Sequence, residues 1–126
     1  MHFTVLDLPT FTDFRGSLTV LERALPFEMV RIYWIYGADG QTRGGHRHVS
    51  TRQALVAISG TVSIYMSDGV TEETIVLNHP SQCLLVEPPH WHTMTFGVNA
   101  VLLVLSSSLY DLGEYCDTPY EQVSHD

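Results

Sequence analysis

"RGGHRHVSTRQALVAISG", residues 43–60, decides how this chain is read. It opens on two glycines, sets His46 and His48 one residue apart, and runs on into an apolar strand pattern. In a strand, side chains two residues apart point the same way, so the two imidazoles share a face and Arg47 takes the other. The inner face of a small barrel is normally filled by apolar side chains, so two imidazoles on such a face mark a site. A metal site, a proton-transfer pair and a pair of exposed surface residues are the three readings open at this point. The second half, continued as "ALVAISGTVSIYM" (54–66), reads as a β-hairpin turning at Ser59-Gly60.

Outward from this stretch the same pattern holds. Strands are expected over 3–8, 17–22, 29–36, 44–49, 53–58, 61–66, 72–77, 83–87, 92–96 and 100–107, all rich in Val, Ile, Leu, Thr and Tyr. "GADGQ" (37–41), "SDG" (67–69) and "NHPSQ" (78–82) supply turns between them. No segment shows a capped apolar period of 3.6. Many short strands at this spacing predict an all-β sandwich or barrel, and 126 residues suit a single domain spanning 1–126. The tail from Tyr110 is polar with aromatics and is expected to pack as a short helix or turn before fraying.

Composition narrows the function. The net charge is −8, there is no lysine, and all six cations are arginines. An acidic chain without a basic run cannot release counterions from phosphates in series, so no nucleic-acid partner is expected. Two or three forked guanidinium groups can still hold one small anion. The longest apolar run, "AVLLVL" (100–105), is far short of a membrane span, and the start has no basic and apolar leader. The cytoplasm is the expected location. Cys83 lies in an apolar strand pattern and is read as a buried, reduced thiol. With only 16% charged residues, part of the surface is expected to be covered by a second subunit.

A second histidine cluster follows in "EPPHWHTM" (87–94), where His90 and His92 share a face beyond Pro88-Pro89. Together the two clusters resemble the cupin superfamily. His46-x-His48 is followed by Gln53 and Gly60, and Pro88 by His92, at the spacing of the two cupin motifs. The resemblance implies a jelly-roll β-barrel with the motifs on adjacent strands. Metal-binding cupins supply a carboxylate where this chain has Gln53, and a neutral amide does not offset a divalent cation's charge. A site of His46, His48 and His92 is still chemically possible, but neither metal nor other cofactor is expected.

A narrower resemblance rests on "DFRGSL" (13–18), "VRIYWIY" (30–36), "RGGHRH" (43–48), "SDG" (67–69), "VEPPHWHTM" (86–94) and "FGVNAVLLVLSSSLYD" (96–111). These look like the nucleotide-sugar 3,4-ketoisomerases, metal-independent cupins acting on dTDP-4-keto-6-deoxyglucose. Related 3,5-epimerases share D-x-R-G and R-G-x-H. The chain departs at Arg47 and Val49, where the family commonly has Ala and Lys, and its tail lacks the usual I-R pair.

The resemblance implies a keto group moved from C4 to C3 of a hexose through an enediol. Such a step needs a base near neutral pKa, which histidine supplies, and His46 and His48 are the candidates, their roles unassigned. Tyr33, His92 and Gln53 are candidate donors to the enediolate oxygen. Arg15 and Arg43, each in an R-G pair of the family pattern, are assigned to the diphosphate. Phe14, Phe27 or Tyr110 is expected to stack on the base, and the family implies a homodimer. A 3,5-epimerase, a metal-dependent cupin enzyme and a non-catalytic sugar-binding cupin are the competing readings.

Overall fold

The computed structural model describes residues 2–120. Twelve strands run in chain order: β1 (Val5–Asp7), β2 (Thr10–Asp13), β3 (Gly16–Thr19), β4 (Arg31–Ile35), β5 (Thr42–His48) and β6 (Gln53–Ser59). They continue as β7 (Val62–Ser67), β8 (Glu72–Leu77), β9 (Gln82–Val86), β10 (Trp91–Phe96), β11 (Val101–Ser106) and β12 (Tyr115–Cys116). One sheet has the order β1-β9-β6-β11-β4 and faces a second of order β12-β5-β10-β7-β8, while β2 and β3 pair only with each other. Every pairing is antiparallel. Two facing antiparallel sheets are the jelly roll expected from the sequence. No helix among the described residues is long and apolar enough to cross a membrane.

The core lies between the sheets. "VSIYMS" on β7 shows why: Val62, Ile64 and Met66 are buried while Ser63, Tyr65 and Ser67 are partly exposed. Facing residues Leu55, Leu84, Leu102 and Val104 complete the inner layer, with Phe96 among them. The first sheet is buried on its outer face too, where Leu21, Leu25 and Phe27 from the segment before β4 pack on Val56, Cys83 and Leu105. Two covered faces explain the unbroken apolar run of β6. Cys83 is a free, fully buried thiol, as expected, and burial pushes its pKa up to about 11.

The hairpin expected at Ser59-Gly60 does not form. β6 and β7 belong to opposite sheets, so the chain turns a corner there instead. Gly60 has φ of +69°, and a Cβ on it would come within 2.7 Å of the Ala100 Cα. A tight glycine turn signals a change of direction, but sheet membership is set by what each strand can bury. β2 was not expected from the sequence. Thr10–Asp13 pairs with β3 in register through Phe11 and Leu18.

The two glycines before His46 carry the feature that shapes the site. Opposite β10, the register shifts between His92 and Thr93, so His46 faces His92, Gly44 faces Thr93, and Gly45 is passed over. This is a β-bulge. It reverses the alternation once, so that Arg43 and His46, three residues apart, both face inward. Gly44 has φ of +86°, and a Cβ there would lie 3.0 Å from the His92 carbonyl oxygen. Gly44→Ala therefore combines left-handed strain with a backbone contact and is expected to cost about 2 kcal/mol. Gly45→Ala, which meets only the Trp91 ring at 3.8 Å, is expected to cost about half that. Urea unfolding of both variants checks the ranking.

Candidate active site

At one mouth of the barrel the inner layer turns from apolar to polar. Leu55, Met94 and Val104 floor a cleft of about 460 Å³, and Arg31, Tyr33, Arg43, His46, Gln53 and His92 form its polar wall. Four strands contribute: Arg31 and Tyr33 come from β4, Arg43 and His46 from β5, Gln53 from β6 and His92 from β10. The tail closes the rim with Tyr110, Tyr115 and Asp117.

The histidines occupy three different environments. His46 lines the cleft and is partly exposed. His48 is buried behind it, does not reach the cleft lining, and neither ring nitrogen has a hydrogen-bond partner. His92 is fully buried, and its Nδ1 lies 3.1 Å from the His90 carbonyl, which fixes the proton on Nδ1 and leaves a lone pair on Nε2. A neutral imidazole in that tautomer accepts at Nε2, so the donor role expected for His92 gives way to an acceptor role. The rings pack against one another, His46 on His48 at 5.2 Å and on His92 at 5.0 Å, both edge-on, with His48 and His92 stacked at 5.8 Å. Among the described residues no group of three or more His, Cys, Asp or Glu is arranged to hold a metal ion.

Burial sets the protonation. It lowers the pKa of His46 below 6.5, partly opposed by the carboxylate of Asp117. It lowers His48 to about 4, helped by His46, and lowers His92 as well. All three are neutral at pH 7, the state a base requires. The unfolded chain takes up these protons near pH 6.5, whereas the folded protein resists until much lower pH. Stability is therefore expected to fall as pH drops from 6.5, by up to ~1.4 kcal/mol per unit from His48 alone, flattening below about pH 4. Carboxylates with depressed pKa, Glu114 at about 2 among them, add to this only below pH 4.5. Urea unfolding at pH 7 and pH 5 isolates the histidine contribution.

Tyr33 is held for donation. The Gln53 Nε2 amide donates to the Tyr33 phenol oxygen at 3.3 Å, which leaves the phenol's own hydrogen free for a ligand. Burial raises the Tyr33 pKa, so it keeps that hydrogen. Gln53, itself buried, thus spends its amide on Tyr33. Arg31, not singled out from the sequence, stands in the cleft with its guanidinium 4.5 Å from the Tyr33 ring and 5.4 Å from the Tyr110 ring. Its place on the inward face of β4 beside Tyr33 was the signal available. Arg43 lies across from it in the same cleft.

Arg15 is not brought to this cleft by its own chain. It sits on the β2–β3 turn, exposed and paired with Asp13 at 2.6 Å. Phe14 beside it is 98% exposed, and Phe27 packs on the outer face of the first sheet, so Tyr110 is the one of the three aromatics at the cleft. Arg47 faces away from His46 as expected, with its guanidinium 4.1 Å from the Tyr120 ring. The sequence also gave no warning of Tyr115, which reaches the histidines across a separation of more than sixty residues.

A two-sheet jelly roll with inward histidines at one mouth defines a cupin-type protein. The chain belongs to the family described as FdtA: WxcM-like, C-terminal, which matches residues 1–124. It is 34% identical over 119 residues to the TDP-4-oxo-6-deoxy-alpha-D-glucose-3,4-oxoisomerase of Aneurinibacillus thermoaerophilus, covering 91% of this chain and 86% of that protein. A 3,4-ketoisomerase from Helicobacter canadensis superposes with a TM-score of 0.88 at 36% identity, covering 94% of this chain and 92% of its own. The 3,4-ketoisomerase QdtA from Thermoanaerobacterium thermosaccharolyticum, as a histidine-to-asparagine variant in complex with TDP-4-keto-6-deoxyglucose, gives a TM-score of 0.88 at 32% identity, covering 92% and 87% of the two chains.

Proposed function

We propose that this chain is a sugar 3,4-ketoisomerase that converts a TDP-4-keto-6-deoxyhexose to the 3-keto sugar. The observation that carries the reading is one accessible, neutral imidazole, His46, in the same cleft as a phenol, Tyr33, whose oxygen is already capped by an amide. His46 takes the C3 proton, and the C–H electron pair forms the C3=C4 bond as the C4 carbonyl becomes an enediolate. Tyr33 donates to that oxygen as charge develops. The N–H proton on His46 exchanges with water, His46 delivers a proton to C4, the hydroxyl proton on O3 passes to O4, and C3 is left as the ketone. The Nε2 lone pair of His92 is the acceptor for that hydroxyl. His48 supports the ring of His46 from behind.

Arg31 and Arg43 are the cations for the diphosphate, and Tyr110 offers an aromatic face for the base. The relative with bound TDP-4-keto-6-deoxyglucose supports this substrate class. We further infer a homodimer. The outer side of β4 presents Ile32 and Trp34, with Tyr36 just beyond, and the β2–β3 hairpin presents Phe11, Phe14 and Leu18, all well exposed. Apolar surface of that extent suits a second copy, and the free thiols of Cys83 and Cys116 suit a reducing cytoplasm.

Incubation with TDP-4-keto-6-deoxyglucose in D₂O, followed by NMR, tests the reaction. A 3-keto product carrying deuterium at C4 is expected, with deuterium at C3 only in 4-keto sugar re-formed by the reverse step. Label at C3 and C5 with the ketone still at C4 would make the protein an epimerase instead.

A further inference from the structure

We propose that Glu114 is a positioning residue for the proton-transfer histidines: by clamping the turn between β5 and β6 it holds the Tyr115 ring over His46 and His48. The role deepens the isomerase reading and rests on it.

The turn at 49–52 joins the strand that ends in His48 to the strand that begins with Gln53. One carboxylate gathers its donors. Glu114 Oε1 accepts from the Ser50 amide at 2.8 Å, the Thr51 amide at 2.7 Å and the Thr51 hydroxyl at 2.7 Å, and Oε2 accepts from the Ser50 hydroxyl at 2.9 Å. The Glu114 carbonyl accepts from the Val49 amide at 3.0 Å. The next residue is Tyr115, which pairs with His48 in the β12–β5 ladder. Its ring meets His46 edge-on at 4.7 Å and His48 at 5.1 Å. The two-residue strand β12 is too short to hold the tail by itself, and four bonds to one anion supply what it lacks.

The clamp matters because Tyr115 is the outer cover of both imidazoles. Otherwise both rings pack against His92 from β10, Glu114 lies within charge range of His48 and Asp117 of His46, and His46 shares the cleft with Arg31 and Tyr33 from β4, Arg43 from β5, Gln53 from β6 and Tyr110 from the tail. Burial is the leading reason both rings stay neutral, while Asp117 acts in the opposite direction on His46 and Glu114 on His48. This gives the proposal a sign. Removing the Glu114 charge alone would lower the His48 pKa further. Releasing the cover would admit water and raise it from about 4 toward 6.5.

The test is an NMR titration of the histidine ring resonances in the ligand-free protein, beside thermal melts. Glu114→Gln places an amide N–H against donors, and the His48 midpoint is expected to rise by about one unit or more. Tyr115→Ala is expected to do the same, and Tyr115→Phe, which keeps the ring, to titrate like the wild type. In turnover assays Glu114→Gln is expected to lower kcat more than it raises KM, with the acid limb of the pH profile moved upward. Should Glu114→Gln fail to fold, Ser50→Ala combined with Thr51→Val removes both hydroxyl donors and is expected to shift the midpoint in the same direction. A midpoint that stays put or moves down in Glu114→Gln, Tyr115→Ala or the Ser50→Ala, Thr51→Val double variant, whether or not the melting temperature drops, overturns the proposal. The titration needs no substrate, so a wild type without isomerase activity would refute the proposed reaction and leave the clamp to be judged separately.

Discussion

His46→Asn is expected to lower turnover by about 10²–10⁴-fold while leaving the fold and TDP binding unchanged. Asparagine keeps a polar side chain of moderate size but has no nitrogen that takes a proton. The loss is expected to be large because the cleft provides no substitute. His48 lies behind the lining with its pKa held at about 4, and His92 is buried with Nδ1 committed to a carbonyl. Neither takes over the C3 proton: His48 does not reach the lining, and the contact proposed for His92 is with the O3 hydroxyl. Binding is expected to persist because Arg31, Arg43 and Tyr110 are untouched. Product NMR after long incubation and calorimetric titration with TDP read the two quantities separately. A similar loss of binding would place His46 among the anchoring groups instead.

Tyr33→Phe has the second largest expected effect, a fall in kcat of about 10²–10³-fold, the size seen when a single oxyanion donor is removed. The phenol is charged with donating to the forming enediolate, and Gln53 leaves it free to do so. Because the hydrogen bond strengthens as negative charge gathers on O4, kcat is expected to fall with little change in KM. The substitution also strands the buried Gln53 amide, which costs about 1–3 kcal/mol of stability. Tyr33→Phe combined with Gln53→Leu removes that unpaired donor. Urea unfolding is expected to recover the stability, while steady-state assays still show the low kcat. Activity that returned along with stability would mean the phenol serves only the fold.

The fold was legible where burial is one-sided and where motifs fix spacing. The alternation in "VSIYMS" gives β7 its inner face directly, and the H-x-H step gives β5. It was less legible where a local signal has two tertiary outcomes. Ser59-Gly60 turns the chain equally well into a hairpin or into a corner between sheets, and the choice depends on which sheet each flanking strand can bury its face in. Strict alternation could not show that Arg43 and His46 share a face, because the bulge at Gly45 resets the count. The site residues taken one by one from strands and motifs meet at one cleft, apart from His48 behind it and Arg15 on its hairpin. Tyr115 and Glu114 were beyond reach, since a ring more than sixty residues away comes to the histidines only through the last strand pairing.

The most direct test of the central claim uses TDP-4-keto-6-deoxyglucose carrying deuterium at C3, incubated in ordinary water with wild type and with His46→Asn. The role assigned to His46 predicts that the wild type washes the label out of C3 as the 3-keto sugar forms, and that His46→Asn binds the same compound yet retains its deuterium. Loss of the label at the wild-type rate in the His46→Asn protein would contradict it.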